Sequence, residues 1–93
     1  MSLAIVRVER EFYTLEQVMA ATQLPRHLLE WLISQGLLEM ESQYLAAQQV
    51  RRLVQMQRLR QDLGLNWIGA AMVLDMAREI AQLKAQLRLY QGY

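Results

Sequence analysis

Residues 4–12 alternate, with Val6, Val8 and Phe12 on one side and Arg7, Glu9 and Glu11 on the other. That is the period of a half-buried strand. The period then lengthens. Thr14 precedes Leu15-Glu16-Gln17-Val18-Met19-Ala20-Ala21, and Thr14 with Gln17 three residues on forms a capping box, so a first helix is predicted to start there. Thr22-Gln23-Leu24 breaks the pattern, and Pro25 suits the first turn of a second helix, predicted over about 25–35. Leu28, Leu29, Leu32 and Ile33 give it a core stripe flanked by Trp31, and Gly36 stops it as a left-handed cap would. Residues 37–45 have room only for a small turn or hairpin. A third helix is predicted over roughly 47–63, apolar at Val50, Leu53, Val54, Met56, Leu59 and Leu63, with Arg51, Arg52, Arg58 and Arg60 on its polar side. Gly64 ends it, and Asn66 caps a last helix that begins at Trp67. No Pro follows Pro25 and the interior Gly69 is tolerable, so this helix runs about 24 residues, nearly to the terminus.

A helix of that length outruns a domain this small. Its apolar positions Val73, Met76, Ile80, Leu83, Leu87 and Tyr90 recur at spacings of 3, 4, 3, 4 and 3, the a/d seam of a coiled coil. The seam covers fewer than three heptads, and an amphipathic helix lying on its own domain would read similarly. It lies mostly beyond what the globular part can cover, however, so the expectation is a homodimer. The chain reads as mainly α and as one domain: residues 1–65 form the globular part, and residues 66–93 a dimerisation helix packed on it.

Composition narrows the function. The 93 residues are 54% hydrophobic, high for a domain with little interior, so part of that surface is expected to meet a partner. No run of about 18 apolar residues suggests a membrane span and the N-terminus has no signal-like pattern, which makes the cytoplasm the expected location. There is no cysteine and His27 is the only histidine. Thiolate chemistry, a clustered zinc site and a nucleophile–base pair all lack their residues. We therefore expect no enzyme, metal, cofactor or small-molecule ligand. The net charge of +1 conceals a lopsided chain, because no Lys or Arg falls between Arg26 and Arg51 while Glu30, Glu39 and Glu41 do.

The order of strand, two short helices, turn or wing, third helix and long terminal helix is that of a winged helix-turn-helix. Three segments, Tyr13-Thr14-Leu15-Glu16-Gln17-Val18, Leu32-Ile33-Ser34-Gln35-Gly36-Leu37-Leu38 and Arg58-Leu59-Arg60-Gln61-Asp62-Leu63-Gly64-Leu65, resemble the MerR-like regulators. A narrower resemblance, to the chaperone-modulator (CbpM) branch of that superfamily, is carried by residues 58–69 with their Leu65-Asn66-Trp67-Ile68-Gly69 run, and by Ile80-Ala81-Gln82-Leu83-Lys84. Members of that branch bind the J-domain of a DnaJ-like (CbpA-type) co-chaperone and restrain its stimulation of the Hsp70 chaperone DnaK. Read from the residues alone, Gly64 and Asn66 turn the chain and Trp67 wedges between the last two helices.

The resemblance also shows where DNA reading should be. MerR-like regulators carry arginines on the exposed face of the second helix and along the wing, where phosphates and guanine edges are met. The matching positions here are His27 and Glu30, and the only charges of the wing are Glu39 and Glu41. Arg7, Arg10, Arg51, Arg52, Arg58 and Arg60 could form a basic patch elsewhere, but a pI of about 8.2 lacks the excess expected of a DNA-binding domain. An acidic, aromatic-anchored patch of His27, Glu30, Trp31, Glu39 and Glu41 would instead suit the Lys- and Arg-rich helix that J-domains present to Hsp70. The alternative is a sequence-specific DNA-binding regulator built on the same dimer.

Overall fold

The computed structural model describes residues 10–91. Its elements in chain order are β1 (Phe12–Tyr13), α1 (Leu15–Thr22), α2 (Arg26–Ser34), β2 (Leu45–Ala46), α3 (Ala47–Leu63) and α4 (Trp67–Gln91). The chain is a mainly helical fold with a minimal antiparallel sheet and a long C-terminal helix, consistent with a winged helix-turn-helix.

Local chemistry sets most boundaries. Thr14 Oγ1 accepts from the Gln17 N–H at 3.2 Å and Gln17 Oε1 from the Thr14 N–H at 2.9 Å, closing the capping box that starts α1. Pro25 stands one residue earlier than anticipated, as the N-cap of α2 rather than inside its first turn. Gly36, at φ 75°, lets the chain turn back after α2 so that the Leu37 N–H reaches the Leu32 carbonyl at 2.9 Å. Gly64 does the same for α3 at φ 68°. The segment between α2 and β2 closes as a tight hairpin in which Glu41 and Tyr44 exchange both backbone hydrogen bonds, with Ser42 at φ 57° in the turn.

The strand alternation is corrected. Residues 4–9 lie outside the described residues; among the described residues the strand is Phe12–Tyr13, paired with Ala46 and Leu45. This register exposes Phe12, anticipated on the inner side, to 45%, while Tyr13 packs against the core and its hydroxyl accepts from the Arg10 N–H at 2.8 Å. A one-residue difference in register moves every side chain to the other face.

Val18, Leu29, Leu32, Leu38, Leu45, Val50, Leu53 and Met56 form the fully buried centre, and Trp67, Ala70 and Ala71 close it from α4. Two positions of the third helix depart from their pattern. Leu63, read as apolar-inward, is 61% exposed because α3 extends past the core, whereas Gln57 is buried and donates to the Thr22 carbonyl at 3.4 Å.

Candidate functional site

The exposed face of α2 follows from its inner face. With Leu29 and Leu32 fixed in the core, helical geometry puts His27, Glu30 and Trp31 outward, at i, i+3 and i+4, and all three are exposed. Trp31 leaves 40% of its surface uncovered, an uncommon state for so large an apolar group and a natural anchor for a partner. The one cation of α2, Arg26, already has a carboxylate partner: its guanidinium is ion-paired with Glu16 at the start of α1. A backbone hydrogen bond first, and then the one from Arg26, hold the Glu16 carboxyl below its ordinary value, so the pair stays charged at neutral pH.

The five residues predicted to meet a partner are all exposed and lie on two elements, α2 and the hairpin that follows it. Glu41 is exposed on the hairpin. Glu39, two residues earlier, is anchored through its N–H, which donates to Gln49 Oε1 at 3.0 Å, and borders a polar cleft with Arg52, Asp75 and Arg78. The α2 triad is one exposed helix face, and on the hairpin Glu39 stands at the junction of α3 and α4.

That junction was misread in the sequence. Arg52, taken for a solvated helix face, keeps only 13% of its side chain exposed. Its Nε donates to the Leu37 carbonyl at 2.9 Å, and its two terminal nitrogens reach the Asp75 carboxylate at 2.7 and 3.3 Å. The guanidinium thus straps the end of the helix-turn-helix to α4. Its hydrogen bond is the main reason that the Asp75 carboxyl titrates below its ordinary value. Arg60, also read as polar surface, is half-buried with its guanidinium 4.4 Å from the centre of the Trp67 ring. Nothing in the local pattern marked either contact, because the Arg52 partners lie 15 and 23 residues away.

The Leu65–Gly69 run behaves as a helix start. Asn66 Oδ1 accepts from the Gly69 N–H at 2.7 Å, the cap expected of it. A Cβ on Gly69 would lie 3.2 Å from that same Oδ1, so the glycine leaves room for the cap. Leu65 packs on the core and Trp67 is buried in it, while Ile68, between Trp67 and Gly69, is exposed, so the run serves the scaffold through Leu65, Asn66, Trp67 and Gly69.

In α4 the two faces separate. Trp67, Ala70 and Ala71 point to the core; at 3.6 residues per turn Met76, Ile80, Leu83 and Leu87 lie on nearly the opposite side. These four are 52% to 54% exposed and Tyr90 is 88% exposed, while Val73, the first seam position, is half-buried. Met72 and Ile68 prolong the exposed stripe towards the start of the helix. From Met76 onward the stripe accordingly points away from the chain's own domain, while Val73 stays beside Leu59 of α3. Among the described residues no group of three His, Asp or Glu side chains comes together in a way that could hold a metal ion, and no helix is long and apolar enough to cross a membrane.

A family model described as MerR HTH family regulatory protein matches residues 13–91. Neither the curated proteins nor the solved structures compared with the chain give a match.

Proposed function

The chain belongs to the MerR family of helix-turn-helix regulatory proteins, and within it we propose a chaperone modulator, which binds the J-domain of a DnaJ-like, CbpA-type co-chaperone and limits its stimulation of the Hsp70 chaperone DnaK. One observation carries the reading: the helix and hairpin that would read DNA present His27, Glu30, Glu39 and Glu41, and the single arginine of that helix is neutralised by Glu16. Carboxylates at those places repel phosphate and attract a basic helix. Trp31, half-exposed among them, supplies the apolar anchor that charge alone lacks. Two copies associate through the stripe of α4, so each particle offers two such faces. The cytosol is where both partner and chaperone would be met.

Calorimetry at low salt with the isolated J-domain tests this directly. Saturable binding, together with no shift of duplex DNA at micromolar protein, is the expected result; salt-sensitive submicromolar DNA binding without J-domain binding returns the chain to the DNA-reading members of its family. For the association of copies, Ile80→Asp with Leu83→Asp is expected to give a monomer by light scattering, because those carboxylates cannot be buried unpaired.

A further inference from the structure

A second surface of opposite character lies between α3 and α4. Leu59, Leu74 and Ala77 make the apolar floor of an open groove of about 480 Å³ that Val73, the first seam position, borders where it meets the α4 stripe, and Gln55, Arg58 and Arg78 complete its lining. Neither arginine holds an ion pair among the described residues. From this geometry we infer that the groove is a docking site for an acidic amphipathic helix of a partner protein, whose apolar face meets the floor while its carboxylates reach Arg58 and Arg78.

The floor fits a helix because it is itself formed by two diverging helices, and a helix laid into such a groove buries residues at i, i+3 or i+4, and i+7. The sign of the charge follows from the two arginines. It also excludes the most obvious occupant from within the chain: the free half of α4 after Arg78 carries Lys84 and Arg88 against the single acid Glu79, so a second copy would bring cations to cations. The groove thus asks for a partner unlike the chain itself, and unlike the basic helix proposed for α2 and the hairpin.

Fluorescence anisotropy tests the site with a labelled helical peptide bearing Leu at i, i+4 and i+7 and Glu at its flanking positions, and with the same peptide carrying Lys for Glu. The full chain should bind the Glu peptide and not the Lys peptide, the binding weakening as salt rises. Arg58→Glu with Arg78→Glu should lower the affinity about tenfold or more. Ala77→Trp, which fills the groove without altering charge, should do the same, both variants keeping the parent's circular dichroism and its mass in light scattering. Equal binding of the two peptides, or undiminished binding by both variants, would overturn the assignment. A change of mass in either variant would overturn it too, by showing that a second copy occupies the groove.

Discussion

The face made by α2 and the hairpin and the groove made by α3 and α4 are built on one core yet differ in almost every respect that decides a partner. The first carries acids at positions 30, 39 and 41, and holds its one cation in an internal pair. The second is a largely apolar groove lined by Arg58 and Arg78, the latter within electrostatic reach of Asp75. A helix-turn-helix fixes where such surfaces stand without fixing what they bind, and the choice of a few exposed side chains sets each one's sign. Arg52 lies between the two surfaces, bonded to Leu37 at the end of one and to Asp75 on the helix that forms the other.

The strongest test of this contrast removes what the surfaces share. Trp67→Ala should cost roughly 3–5 kcal/mol, measured by urea unfolding, since it empties the place where α4 meets the core and takes away the ring beneath Arg60. Both binding activities should fall together; survival of one would show that the surfaces rest on separate supports. Arg52→Ala leaves the Leu37 carbonyl and the Asp75 carboxylate without their shared donor and should cost about 2 kcal/mol, with Arg52→Lys restoring only part because a single ammonium cannot span both partners. Next comes the reversal of Glu30, Glu39 and Glu41 to Lys. It should weaken J-domain binding about tenfold or more at low salt, each site giving ~1 kcal/mol or less, while the acidic peptide still binds the groove. If J-domain affinity is unchanged, docking lies elsewhere, and Trp31→Ala becomes the discriminating variant. The smallest effect belongs to Asp75→Asn, at most ~1 kcal/mol for so exposed a partner. Because the folded carboxyl titrates below its ordinary value, its contribution is present above the unfolded value and disappears as pH falls through the folded one. Thermal melts of parent and variant should therefore differ at neutral pH and converge in acid.

Helix ends were legible in the sequence because their chemistry is local: Thr14 with Gln17, Gly36, Gly64 and Asn66 each act within a few residues, and each does so in the structure. The outward placement of His27, Glu30 and Trp31 was legible too, since Leu29 and Leu32 fix the rotation of α2. What escaped was whatever depended on distant chain. Phe12 and Tyr13 exchanged sides because pairing with β2, not their own alternation, sets the register. Arg52 and Arg60 looked like any helical surface cations until α4 crossed them, and the groove needs two helices before it exists at all. Ala77, small and unremarkable in a heptad, gains its meaning only as a floor.

The free half of α4 has one more consequence. From Arg78 to Gln91 every side chain is exposed, and a stretch of that length is marginal as an isolated helix in water, where packing supplies most of a helix's stability. Its hydrogen bonds should therefore be strengthened by whatever covers the stripe. By mass action, whatever binds the folded form also holds it folded, so helix content becomes a function of concentration. On dilution, circular dichroism should lose helix signal and amides beyond Ile80 should exchange quickly, while the amide of Leu53 keeps its protection. With two copies associating as proposed, the last turns of α4 would work as a gauge of their own occupancy, the order of the backbone recording how much of the chain is paired.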